Sequence, residues 1–188
     1  LDRLIPPIPL TIDVDSRKVR LGERLYHDTR LSHDNTISCA TCHDLKKGGT
    51  DQIKTPKGIN GNMGPIRSPT TFNSGFFFSQ FWDGRAKDLI EQAAGPVHNP
   101  KEMGSDWLEV IPKLSKDPYY MQAFSDIYSD AIKAGNITDA ISEFEKSLIT
   151  PNSRFDMFLR GNALALSADE KEDYRLFKEY GCISCHHG

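Results

Sequence analysis

Apolar positions along this chain recur at helical rather than strand spacing almost throughout. Val19, Leu21 and Leu25 share a face of a stretch that Ser16 can cap and that runs to about Tyr26. A second helix is predicted from about Arg85 to Ala94, stopped by Gly95-Pro96. Asn99-Pro100 reads as a cap with proline in the first turn that follows. Asp117-Pro118 opens a helix carrying Met121, Phe124, Ile127 and Tyr128, and Thr138 opens another with Ile141, Phe144 and Leu148. Asn152 can cap a short helix bearing Phe155, Phe158 and Leu159. Ser167-Ala168-Asp169-Glu170 is a capping box whose helix ends at Gly181. Strand-like alternation is almost absent, so the expected fold class is all-α.

Two stretches resist this pattern. Ile5-Pro6-Pro7-Ile8-Pro9 cannot be helical and predicts an extended N-terminal arm, residues 1–11, lying over another surface. From Asp44 to Asn73 the chain is rich in Gly, Pro, Thr and Asn without a helical period, and a loop that long is usually functional. Composition narrows the field of partners. The net charge is −3 with Lys and Arg scattered among acids, so no basic stripe offers itself to nucleic acid. No apolar run approaches a membrane span.

The chemistry is concentrated in Cys39-Ala-Thr-Cys42-His43 and Cys182-Ile-Ser-Cys185-His186, which use all four cysteines. Two thiols three positions apart can add to the two vinyl groups of one porphyrin, and the adjacent histidine then reaches the iron. The motifs therefore point to two covalent haem c groups, through Cys39, Cys42, Cys182 and Cys185, with His43 and His186 as iron ligands. A four-thiolate zinc site is the competing reading. It usually draws its cysteine pairs from one short stretch and does not require a histidine after each. A redox dithiol would follow a strand in a βαβ pattern, which neither motif does. Haem attachment takes place outside the bacterial cytoplasm, so the opening Leu1-Asp2-Arg3 is expected to be a trimmed terminus of a periplasmic protein.

Beyond these motifs, the chain resembles the bacterial di-haem cytochrome c peroxidase family, MauG-like relatives included. The resemblance rests on Leu21-Gly22-Glu23-Arg24-Leu25-Tyr26, Arg30-Leu31-Ser32, Cys42-His43-Asp44-Leu45 with Gly48-Gly49-Thr50, and Phe81-Trp82-Asp83-Gly84-Arg85-Ala86. It continues through Glu91-Gln92-Ala93-Ala94-Gly95-Pro96, Asn99-Pro100-Lys101-Glu102-Met103-Gly104, Leu148-Ile149-Thr150-Pro151 and Tyr180-Gly181-Cys182. It implies two cytochrome-c-like domains: a peroxidatic one over residues 12–152 and the start of an electron-receiving one over 153–188. The family continues well past the second haem motif, so the second domain is expected to be incomplete here, without its haem's distal ligand.

The resemblance also assigns roles. His43 ligates the peroxidatic haem and His186 the second; Glu102 is the catalytic acid/base, Gln92 the distal-pocket amide, and Trp82 the aromatic between the haems. The implied partners are hydrogen peroxide and a small cytochrome c or cupredoxin donor, and the implied assembly is a homodimer. Taken singly, Glu102 reads as a helix N-terminal carboxylate, Gln92 as a surface residue and Trp82 as core packing. His27, His33 and His98 read as surface or loop histidines, and His187 as turned away from the haem. Phe76-Phe77-Phe78 reads as haem-pocket lining or interdomain core.

Two departures from the family matter. Aligning Gly64-Pro65-Ile66-Arg67-Ser68-Pro69-Thr70 to the family's run puts Ile59 where members needing reductive activation carry a distal histidine. Ile cannot ligate iron, so the first haem is expected to be open without prior reduction, with Met63 the alternative ligand. Arg67 stands where an Asn often contributes to a calcium site between the domains, which weakens the case for calcium. Three functions remain in view: a peroxidase, a MauG-like enzyme oxidising a protein, and a non-enzymatic electron carrier.

Overall fold

The computed structural model describes residues 5–186; the first four residues of the arm and the reading of His187 lie outside it. Its regular structure is helical, and among the described residues the only β pairing is two isolated bridges, Lys57 with Met63 and Gln80 with Ala86. The chain divides into two compact units, Val14–Leu148 and the described parts of Leu1–Asp13 with Ile149–Gly188.

In the larger unit, helices α1 (Ser16–Tyr26) and α6 (Ala134–Ser147) cross. The crossing is close because Gly22 has no side chain: a Cβ there would lie 1.9 Å from the Ala140 carbonyl oxygen. Leu21 and Leu25 on α1 and Ile137 and Ile141 on α6 are fully or almost fully buried, and Tyr26 meets Phe144 edge-on at 5.1 Å. Around this pair stand α3 (Leu89–His98), α4 (Trp107–Leu114) and α5 (Pro118–Ile127), which add Val97, Val110, Leu114, Tyr120 and Phe124 to the same core. The single-turn helix α2 (Cys39–Cys42) carries the first haem motif, its start fixed by a reciprocal Ser38–Thr41 capping box.

Several boundaries differ from the sequence reading, each for a local reason. Asp15, not Ser16, caps α1 by accepting from the Arg17 N–H. Asp88 caps α3, which starts at Leu89 and runs through Gly95-Pro96 to His98. Proline removes one helical bond there, while the last-turn carbonyls find other partners: Gly95 O takes the Asn99 N–H, Pro96 O that of Met103, and Val97 O that of Ser105. Asn99-Pro100 accordingly opens a tight turn rather than a helix, and the next helix is α4, capped by Asp106. Helix α6 begins a turn before Thr138, at Ala134.

In the smaller unit Ser153, not Asn152, caps α7 (Arg154–Leu159), and α8 (Ala168–Glu179) has the expected Ser167–Glu170 capping box. Phe155 and Phe158 of α7 meet Tyr174 of α8 edge-on. The arm is non-helical, and its Ile8 N–H donates to Asp156 Oδ1 at 2.8 Å while the Ile8 carbonyl accepts from Arg160. Gly181, in the left-handed region at φ 75°, ends α8 and turns the chain into the second motif.

Candidate active site

Helices α2, α3 and α6, with Leu31, Ile37 and the 99–104 turn, enclose one cavity, which brings together residues spread over a hundred positions of sequence. Cys39, Cys42 and His43 line it from the first motif, Gln92 from α3 and Glu102 from the turn. Leu31, Ile37, Ala93, Val97, Met103 and Ile141 give it apolar walls, and Glu145 of α6 completes them.

His43 is held in one tautomer. Its Nδ1 lies 2.9 Å from the Pro69 carbonyl and 3.3 Å from that of Gly49. Carbonyls only accept, so Nδ1 carries the proton and Nε2 keeps the lone pair a metal needs. Burial depresses the imidazole's pKa, which favours that neutral form. The backbone behind His43 is braced as well: Tyr26 OH donates to the His43 carbonyl at 2.8 Å and lies 3.1 Å from Thr71 Oγ1. The 44–73 loop thus serves the histidine through Gly49, Pro69 and Thr71.

Glu102 sits on the turn that Asn99-Pro100 sets. The Glu102 N–H donates to the Asn99 carbonyl at 2.9 Å, and Asn99 Nδ2 donates to Glu102 Oε1 at 2.6 Å. Burial pushes the carboxyl's pKa up, against the Asn99 hydrogen bond and the Arg85 charge, which lower it. The two thiols are also raised by burial, Cys42 to about 11.

Ile59 is buried, but it does not line the cavity. Its N–H donates to the Glu102 carbonyl at 2.9 Å, and its side chain fills the space beside Gly104, where a Cβ would lie 2.3 Å from Ile59 Cδ1. It pins the 57–64 loop to the turn bearing Glu102. Met63 is 47% exposed and also outside the cavity.

Other expected site residues lie elsewhere. Trp82 is 64% exposed, donating its Nε1–H to the Arg67 carbonyl at 2.8 Å, so its reading as core packing does not hold. Phe76, Phe77 and Phe78 are exposed and none lines the cavity, which removes them from the pocket of the first motif. His27, His33 and His98 are exposed as expected. In the smaller unit Cys182, Cys185 and His186 are exposed, with Cys182 on a short 3₁₀ turn. Sequence reasoning missed Met103, Tyr26 and Glu145. Tyr26 and Met103 lie in segments that carry the family resemblance, but nothing in the sequence marks any of the three as part of the site.

This set fits a covalently held haem: two thiols and a neutral imidazole presented from one short segment, apolar walls, and the polar side chains of Gln92, Glu102 and Glu145. The class is therefore that of a c-type haem domain. The comparisons make it specific. The family model described as di-haem cytochrome c peroxidase matches residues 16–164. Cytochrome c peroxidase Ccp of Escherichia coli (strain K12) is 54% identical over 98% of this chain and 40% of its own length. The cytochrome c551 peroxidase of Nitrosomonas europaea is 46% identical over 98% of this chain and 55% of its own. A solved MauG-like protein associated with microbial copper homeostasis superposes with a TM-score of 0.81 at 29% identity, covering 94% of this chain and 53% of that one. This chain belongs to the di-haem cytochrome c peroxidase family, and it spans about half the length of the relatives it matches.

Proposed function

We propose that this chain is the peroxide-reacting part of a di-haem peroxidase that reduces hydrogen peroxide to water. The observation that carries this is one cavity lined by Cys39, Cys42 and His43 together with Glu102 and Gln92. Cys39 and Cys42 hold the first haem c with His43 as its ligand. Cys182, Cys185 and His186 hold the second, in a C-terminal domain of which this chain includes the start. Bound haem iron supplies the electrons that cleave the peroxide O–O bond.

The protein's part is proton handling and orientation. Glu102 Oε1 is occupied by Asn99, which leaves Oε2 to take the proton from peroxide and return it to the leaving oxygen. Burial raises the carboxyl toward the range where one group can do both. The Gln92 amide orients peroxide without exchanging a proton. The Pro69 carbonyl keeps His43 Nε2 directed to the metal.

Ile59 and Met63, both outside the cavity, leave no ligand of the 57–64 loop facing the first motif, which supports a first haem that would react with peroxide without prior reduction. Exposed Trp82 serves electron transfer between the haems. The donor is a small periplasmic cytochrome c or cupredoxin, and the whole protein is a periplasmic homodimer, as the family resemblance implies. The Arg67 carbonyl is taken by Trp82, and calcium has no part in this proposal.

The test is steady-state peroxide turnover with reduced cytochrome c, with and without prereduction. Glu102→Ala should abolish turnover while both haems stay attached; surviving turnover removes the acid/base assignment. A second reading, oxidation of a protein substrate as in MauG-like members, is favoured by the same absence of a histidine at position 59. It predicts slow turnover with small donors and a covalent change in a partner protein detectable by mass spectrometry. An electron carrier alone would need both irons closed by two strong ligands, which Ile59 argues against.

A further inference from the structure

The cavity contains an acid that this peroxide chemistry leaves unused. Glu145, near the end of α6, is 5% exposed and lines the same cavity as Cys39, Cys42 and His43. Neighbouring residues Ile137, Ile141 and Phe144 form the apolar stripe of α6, so Glu145 occupies a place where a hydrocarbon side chain would pack without cost. Its Oε2 has no hydrogen-bond partner among the described residues. Buried polar groups are nearly always paired, and an exception calls for an explanation.

The groups around Glu145 offer its charge no compensation. Tyr26 faces it from α1 and Cys39 from α2; each is neutral, and each is pushed further from ionisation by the Glu145 carboxylate. Across the cavity stand Cys42, His43 and Glu102, while α3 contributes the uncharged Gln92. No Lys or Arg lines the cavity, and adjacent Lys146 is paired with Glu143. Burial alone raises the Glu145 carboxyl to about 8. Its protonation therefore answers to whatever charge the cavity receives.

We propose that Glu145 is a redox-linked proton site for the first haem: its carboxylate binds one proton from solvent as that haem gains one electron, and releases it on oxidation. The only bond formed or broken is an O–H bond, and the electron comes from the donor of the reaction above. The cause is electrostatic. The oxidised centre has one more positive charge than the reduced one, and in a dry cavity that charge favours the carboxylate strongly. This rests on the assignment of a haem to Cys39, Cys42 and His43.

The experiment is a potentiometric titration of the first haem in the full-length protein carrying its haems, repeated from about pH 5 to pH 9. In the wild type the midpoint should fall with rising pH, approaching a tenfold change in the reduction equilibrium per pH unit, about 59 mV. In Glu145→Gln, which keeps the shape of the side chain, this dependence should disappear. A wild type with no pH dependence overturns the proposal. So does a Glu145→Gln protein that keeps the slope, which would assign the proton to a haem propionate or to Glu102. Mass spectrometry of the wild-type peptide containing Cys39 and Cys42 separates the two levels of the argument: that peptide without a haem removes the haem assignment itself and the proposal with it. Redox-difference infrared spectra of the wild type give a check independent of the variant's folding. A protonated-carboxyl band should appear as the first haem is reduced and shift in D2O; its absence overturns the proposal.

Discussion

Asn99 shows how one side chain can set the chemistry of another without touching substrate. Its amide donates to Glu102 Oε1 at 2.6 Å, and that hydrogen bond lowers the carboxyl's pKa against a burial effect that raises it. In Asn99→Ala the opposing influence is lost, so the Glu102 pKa rises and its base form appears only at higher pH. The acid limb of the pH–turnover profile should therefore move to alkaline pH by about one unit, the size of a hydrogen bond to a charged group. Glu109 illustrates the opposite sign at a surface. Lys113 and then His33 hold its carboxyl at about 2, below its ordinary 4.5. The unfolded chain thus binds this proton more readily than the folded one. The stability that Glu109 contributes is present above pH 4.5 and is lost as pH falls toward 2. Glu109→Gln should flatten that part of the acid denaturation profile, measured as the urea midpoint against pH, with a smaller difference at high salt. At this scale the sequence announced the residues whose chemistry is local. Two thiols and a histidine in five positions are legible because the spacing is the function. Glu145, Tyr26 and the Pro69 carbonyl were not, because their importance comes from burial and from partners across the fold.

The helices were legible to the extent that each carries its own periodicity and cap. The predicted Ser167–Glu170 box and the Asp117-Pro118 start of α5 both appear as read. Helix α3 runs past the stop that its proline predicts, because the returning chain supplies partners for the last carbonyls. Helix α4 was not anticipated, since the preceding Asn99-Pro100 looked like a helix start in its own right. What no single helix reveals is the crossing of α1 and α6, although Gly22 marks it. A methyl group at residue 22 would meet the Ala140 carbonyl at 1.9 Å and Phe144 Cβ at 2.8 Å. Neither is the end of a flexible chain, so the helices would have to separate. Gly22→Ala should cost about 3 kcal/mol or more, seen as a lower denaturant midpoint. Because the crossing places Tyr26 against both Phe144 and the His43 carbonyl, the first haem's absorption should broaden as well.

At the scale of the whole molecule, half of the relatives' length is represented, and the two haem motifs fall in different compact units. The first is enclosed by its unit; Cys182, Cys185 and His186 are exposed in theirs. The motifs share the same Cys-x-x-Cys-His spacing, so the difference in environment comes from the residues packed around them. For the first motif those are Gln92 and Glu102, the latter on a turn that the 57–64 loop packs against through Ile59. The family resemblance implies a histidine position at residue 59, but it does not say where the isoleucine side chain goes. Ile59 turns to Gly104 and Met63 to solvent, so neither reaches the cavity. The full-length protein, as isolated and fully oxidised, should accordingly show a high-spin ferric component from the first haem, and turnover should begin without a lag and without prereduction. Met63→Leu should leave both the spectrum and the lag-free start unchanged. Low-spin spectra from both ferric haems would mean that some group closes the site after all. A change confined to Met63→Leu would identify that group as the thioether of Met63, drawn inward by a movement of the 57–64 loop.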